Sequence, residues 1–389
     1  MKCGRLCTGA KVVAALLVIV TVIAVAGGLM LRSAAAELEG ERVARIAPAP
    51  PPSPVKPPIV GEDPLTALLQ TATVLAPHSY GNLTIFPVMV SGVADFGSAL
   101  TMDEALSRGL LVVEEVGSGA VNEVVALNRS DRYIFMMASE MVGGAKQDRT
   151  IGKDVLLAPH GKAHIPVFCI EAHRWTAAAP GAEFRSMDQS TPLSVRRTAR
   201  LKQDQSEVWA QVSREQARLA APSATGALRS VYESADVQRS LEPYLSKLAD
   251  APSAAPNVVG VVVARGASIV CADLFYRPDL FRRLWPKLLR SYAADAIGTP
   301  PGAGRATVGD AERFLGGLYH ARRDRLPTPG VGYELRLQGG GGAGSALVFK
   351  RSVVHLEVFP GIELLREPPR PEPQMDLQFR RDRLERSPQ

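Results

Sequence analysis

VNEVVALNRSDRYIFMMASEMVGGAKQDRTIGKDVLLAPHGKAHIPVFCIEAHRW, residues 121–175, is the stretch on which the reading of the fold turns. Apolar runs of strand length at 123–127, 133–138, 154–157 and 165–170 alternate with short polar turns such as Asn128-Arg129-Ser130-Asp131. That alternation is the signature of strands around a core. Between the second and third runs lies Gly143-Gly144-Ala145-Lys146-Gln147-Asp148-Arg149. The glycines permit a sharp turn, and four polar side chains follow from a loop pinned at both ends, where binding groups are usually displayed. A plain solvated hairpin turn has the same composition.

Working towards the N-terminus, the segments 110–116 and 83–90 read as further strands. Thr101-Met102-Asp103-Glu104 reads as a capping box that opens a short helix, and 63–75 as a helix leading into a strand. From Val12 to Leu31 the chain runs 20 residues without a charge. A helix of that length crosses the roughly 30 Å hydrocarbon layer of a bilayer. Lys2, Arg5 and Lys11 precede it, while Glu37, Glu39 and Glu41 follow. The charge bias predicts a single-pass anchor with residues 1–11 cytoplasmic and the body extracytoplasmic. A cleaved signal peptide, with Ala34-Ala35-Ala36 as its site, is the alternative. Residues 32–59 carry the proline run APAPPPSPVKPP and read as an extended spacer.

Towards the C-terminus, 177–200 lacks clean periodicity and reads as a connecting loop. Helices are expected from Asp204, over 240–249 and over 308–322, with Thr307 and Asp310 capping the last. A hairpin is expected over 258–272 around Arg265-Gly266. The strongest helical signal is 281–296, where Phe281, Leu284, Trp285, Leu288, Leu289, Tyr292, Ala293 and Ala296 share one face. Arg282, Arg283, Lys287 and Arg290 fall opposite, which reads as a solvated back, and Pro286 is expected to kink the helix or start a new one. Segments 332–337 and 346–359 are expected to pair around the glycine run 339–342. The tail, 367–389, is proline-rich and charge-mixed and reads as disordered.

The predicted architecture is therefore α+β: a body over 60–366, β-rich to about residue 175 and mixed helix and hairpin after it, preceded by one transmembrane helix. A net charge of +6 over 389 residues, with the signs interspersed, gives no basic stripe for nucleic acid. Four cysteines without paired spacing give no structural zinc pattern, and Cys169 and Cys271 are read as buried thiols or as a disulfide pair. His160, His164 and His173 lie near Cys169, but Pro159, Gly161 and Pro166 bar the regular helix that would align the first two, so no metal site is assigned. No nucleophile elbow, zinc-protease motif or dinucleotide fingerprint is present. The candidate ligand-binding residues are Glu140, Lys146, Gln147, Asp148, Arg149, Glu171 and Arg174. Lys146 and Arg149 suit a small anionic or nucleotide ligand.

YGNLTIFPV (80–88), TMDEALSRGLL (101–111), VNEVVALNRSDR (121–132), GGAKQDR (143–149), IPVFCIEAHRW (165–175), QSEVWAQV (205–212), TGALRSVYE (225–233) and ADLFYRPDLFRRLWPKLLRSYAADAI (272–297) together resemble the ARG and Rhodanese-Phosphatase-superfamily-associated Protein domain family. The resemblance implies, by association alone, a link to NAD or ADP-ribose metabolism and supplies no catalytic residues. It leaves two readings: an anchored ligand-binding or interaction module, and an enzyme of nucleotide-sugar or ADP-ribose metabolism using the 146–149 loop.

Overall fold

A computed structural model describes residues 63–91, 96–116, 122–174, 183–299 and 304–361. The expected membrane helix, proline spacer and C-terminal tail lie outside the described residues. Among the described residues no helix is long and apolar enough to cross a membrane.

The chain opens with α1 (Pro64–Thr71), β1 (Thr73–Val74), β2 (His78–Tyr80), β3 (Leu83–Met89), β4 (Leu100–Thr101) and α2 (Met102–Ser107). Eight strands follow: β5 (Leu111–Glu115), β6 (Glu123–Asn128), β7 (Ile134–Met136), β8 (Glu140–Gly144), β9 (Arg149–Ile151), β10 (Val155–Leu157), β11 (Lys162–Cys169) and β12 (Phe184–Ser190). Four helices come next: α3 (Leu193–Lys202), α4 (Gln205–Arg218), α5 (Arg229–Glu233) and α6 (Ala235–Leu248). The chain ends with β13 (Val258–Arg265), β14 (Ser268–Phe275), α7 (Pro278–Ala296), α8 (Val308–Gly317), β15 (Arg322–Pro327), β16 (Tyr333–Gly339), β17 (Gly342–Phe349) and β18 (Ser352–Pro360). This is an α+β fold with several sheets and, among the described residues, eight α-helices.

The spine is a nine-stranded antiparallel sheet, ordered β1-β3-β13-β14-β18-β17-β16-β15 with β2 also paired to β3. Its centre is not the 121–175 stretch from which the sequence reading began. β13 is an almost unbroken valine run because both of its faces are buried. Val261 and Val263 face the cluster that contains Phe281, Leu284, Trp285 and Leu288 of α7. Val262 and Ala264 face the opposite cluster, with Leu65 and Leu69 of α1 and Ala311 and Leu315 of α8. The period of two thus sends alternate residues of one strand into two separate cores.

The 121–175 stretch supplies β6, β8, β9 and β11 to a second sheet, while its β7 and β10 pair with β4 in a third. Six strands in the order β12-β8-β9-β11-β6-β5 surround a core that includes Val113, Val124, Ala126, Val142, Ile165 and Phe184. A single bridge between Glu114 and Glu183 joins the two outer strands, so the sheet curls back on itself as a small barrel. Helix α2 packs against its core through Met102 and Ala105.

Several expectations needed correction. Part of the supposed loop over 177–200 is strand β12 and helix α3; the strand was hidden by a bulge between Ser186 and Ser190. In α3 the inward residues include Arg196 and Arg200, so it shows no apolar stripe. The expected helix at 308–322 stops at Gly317, where any Cβ would lie 2.2 Å from the Gly340 carbonyl oxygen. The run 346–359 is two strands, because Lys350 and Arg351 (φ 45° and 64°) make a tight turn with no glycine to announce it. Pro286 sits inside one continuous helix, α7. The basic back of that helix is not solvated throughout: Lys287 is buried at 5% exposure, and Arg283 is half-buried in an ion pair with Glu104. Cys169 and Cys271 are free, buried thiols.

Between α3 and the large sheet lies a layer of buried charge. Arg196 donates to Asp273 and to Glu357, both at 2.7 Å, and Arg200 donates to Glu357 at 2.8 Å. His355 meets Asp154 through Nδ1 at 2.9 Å and Asp273 through Nε2 at 3.2 Å. The Tyr292 hydroxyl adds a bond to Asp273 at 2.5 Å. None of the six charged groups is more than 5% exposed. Asp273 and Glu357 are direct register partners on neighbouring strands, a like-charge pair that would repel without Arg196 between them.

Candidate functional site

The turn joining β8 to β9 carries the loop singled out in the sequence. Gly144 and Ala145 both take positive φ, 110° and 44°, which swings the chain back sharply. The side chains that follow are buried, not solvated: Gln147, Asp148 and Arg149 are 4%, 0% and 0% exposed. Arg149 donates to Gln147 Oε1 at 2.9 Å and to the Cys169 sulfur. Burial pushes the Cys169 thiol up to about 11, with Arg149 pulling the other way. Asp148 receives Arg229 Nε at 2.6 Å and Arg174 at 3.3 Å. Glu171 accepts from Arg174 Nε at 2.8 Å, from the Thr225 hydroxyl at 2.7 Å and from the Asp148 amide at 3.2 Å. Burial alone would raise the Glu171 carboxyl, but these donors hold it below the ordinary value. Gln147, Asp148, Arg149, Glu171 and Arg174 are therefore one network, completed by Thr225 and Arg229. Lys146 stands at the turn itself, with its backbone amide 3.3 Å from Glu115. His160 and His164 face separate carboxylates, Asp131 and Glu123.

Glu140, at the start of β8, belongs to a different group. Its Oε1 receives the Lys287 ammonium at 2.6 Å and its Oε2 the Met137 amide at 2.7 Å. Lys287 also donates to Asp103, as does the Ser186 hydroxyl. Burial pushes the Glu140 carboxyl up to about 7; Lys287 opposes the rise and Asp103 adds to it. Burial works against the Lys287 charge, yet the two carboxylates keep its affinity for a proton above normal.

This triad backs a cavity of about 700 Å³ bounded by α2, β5 and β12. Its wall includes Asp103, Glu104, Glu183, Asp188, Arg185 and Ser186. The volume is in the range of small-molecule sites. The cavity opens at the seam of the barrel, beside the Glu114–Glu183 bridge. Asp103 is fixed there by the capping box: Thr101 Oγ1 accepts from the Glu104 amide at 3.3 Å, and Glu104 Oε2 from the Thr101 amide at 2.9 Å. Strand β8 supports the far wall, pairing Gly143 with Arg185 and Val142 with Ser186. The buried loop network locks the turn at the end of β8 and so holds that wall in place.

Sequence reasoning found Glu140 but missed Asp103 and Lys287 as its partners. The capping box located Asp103 on the first turn of a helix. Lys287 gave no signal, because a lysine opposite an apolar stripe normally faces water.

No curated protein and no solved structure matches the chain. Residues 71–359 match the profile of the ARPP-1 family, the ARG and Rhodanese-Phosphatase-superfamily-associated Protein domain. That span takes in the spine sheet, the barrel and the cavity at its seam, and the chain belongs to this family.

Proposed function

We propose that the body is a ligand-binding module whose ligand seats in the cavity at the barrel seam. The observation that carries this reading is Asp103, a carboxylate on the cavity wall whose position is fixed from behind by a buried lysine shared with Glu140. Four carboxylates (Asp103, Glu104, Glu183, Asp188) line the space against Arg129 and Arg185. That balance favours a ligand rich in amino or hydroxyl donors. The cations of the 146–149 loop serve a supporting part in this reading: Arg149 faces inward to Gln147, Cys169 and Glu115.

A melting screen of amines, polyols and nucleosides against the full chain tests the proposal. Ligand at 100 times its dissociation constant adds about 2.7 kcal/mol to the native state, and Asp103→Asn should abolish the shift. Asp188→Asn, an exposed rim change, should fold normally and weaken it. A wild-type protein that responds to none of these classes, or an Asp103→Asn variant that responds like wild type, sinks the reading. A second reading, an enzyme, is favoured by the Glu140 carboxyl near 7 one lysine away from Asp103. Turnover of the bound compound that disappears in Glu140→Gln is its test.

We also propose that Val12 to Leu31 anchors the chain, with the proline run as spacer and the body extracytoplasmic. The charge-free run and its basic N-terminal flank support this. After an alkaline carbonate wash the full chain should remain in the membrane pellet. Release of a soluble form beginning near Glu37 would replace the anchor with a cleaved signal peptide.

A further inference from the structure

A second cavity, of about 350 Å³, lies away from the barrel, where the ends of α3, α4, α7, β13, β14 and β18 meet. Arg197, Arg218 and Arg265 line it together with Ser194, Glu215 and Asp295. We propose that it binds the phosphate of a small phosphorylated metabolite or free inorganic phosphate.

The resident Asp295 carboxylate already shows how an oxyanion is received there. The Ser194 amide donates to Asp295 Oδ1 at 3.2 Å and Arg265 Nη1 to Oδ2 at 2.6 Å. The Ser194 hydroxyl turns to Glu215 at 2.7 Å. Arg218 is committed to Glu215 and to the Ala294 carbonyl at 2.8 Å, so it contributes charge more than donors. Arg265 keeps 35% of its side chain exposed, and Arg197 donates to the Pro360 carbonyl at 3.3 Å. Three guanidinium groups stand against two carboxylates. The cavity is therefore net cationic. A planar carboxylate is satisfied by one arginine fork, whereas a tetrahedral dianion presents three oxygens to donors arriving from several directions. The chain's ends of several elements provide that arrangement, and the volume admits a ligand about the size of a triose or pentose phosphate.

Calorimetric titration of the full chain with inorganic phosphate, against chloride and sulfate at matched ionic strength, tests the proposal. One phosphate should bind per chain in preference to either control. Arg197→Gln removes a charged donor and should weaken it about tenfold. Asp295→Asn, which removes the competing negative charge with little change of shape, should tighten it, and circular dichroism confirms that both variants fold. Glycerol phosphate binding more tightly than inorganic phosphate would identify the metabolite as the source; the reverse order would identify the free anion. Absence of phosphate binding by the wild type, or equal binding by wild type, Arg197→Gln and Asp295→Asn, overturns the assignment.

Discussion

Arg196→Ala should lower stability by about 3–5 kcal/mol, the penalty for removing one partner from a buried ion pair. The loss would appear as a lower urea midpoint with the slope unchanged. Arg196 is the only group among the described contacts that donates to both Asp273 and Glu357, and those carboxylates lie opposite one another on adjacent strands. Without it, two buried negative charges face each other under a helix. Arg313→Ala is the control. Its pair with Asp310 is on the surface, with the arginine side chain 74% exposed, and its loss should change stability by less than about 0.5 kcal/mol. If the two variants unfold at the same midpoint, the layer is hydrated and its pairs count for little.

The second large effect is a loss of stability with rising pH. Burial works against a charged His355, but Asp154 and Asp273 hold the imidazole up to about 9, above its ordinary 6.5. A raised folded value means that the stabilisation is complete below about pH 6.5 and disappears as pH climbs through 9. The amount is on the order of 3 kcal/mol. Asp154 and Asp273 behave oppositely. Burial would raise both, yet their cationic neighbours hold them low, so their contribution is lost as pH falls. Glu140 adds a separate decline at lower pH, from its ordinary 4.5 to about 7. Chemical denaturation from pH 5 to 10 should therefore show a fall centred between 6.5 and 9 in the wild type. His355→Gln, neutral throughout, should be less stable at pH 6 and flat across that window. A wild-type curve that is flat there would place a neutral histidine in the network.

Local signals were read well where one rule acted alone. The capping boxes at Thr101 and Thr307, the Asp204 cap and the hairpin at Gly266 all follow from side-chain donors or from a glycine turn. The apolar face of α7 was legible for the same reason. Legibility failed where tertiary packing reversed the usual meaning of a residue. His355 and Glu357 alternate with Val354, Leu356 and Val358, the pattern of a strand with one wet face, yet helix α3 covers that face. α3 itself was invisible because its buried residues include arginines. Of the candidate residues, Gln147, Asp148, Arg149, Glu171 and Arg174 meet in one hydrogen-bonded network. Its burial was not foreseen, because Arg174 and Arg229 come from elements whose approach no spacing encodes. The cavity needed α2, β5 and β12 to meet, and the bulge in β12 concealed the last of them.

The order of strands in the spine sheet also sets when the chain is able to fold. β3, near the start of the body, pairs with β13, and β14 pairs with β18, the last strand described. An emerging chain therefore pairs β3 with β1 and β2 but leaves its other edge open until β13 has been made, and the middle of the sheet stays open until β18 arrives. The six barrel strands all fall between Leu111 and Ser190 and are complete much earlier. Non-local pairing of the first kind is slow and leaves unpaired strand edges exposed while it waits. Synthesis thus gives a barrel that forms on the way and a spine that closes only once β18 has been made.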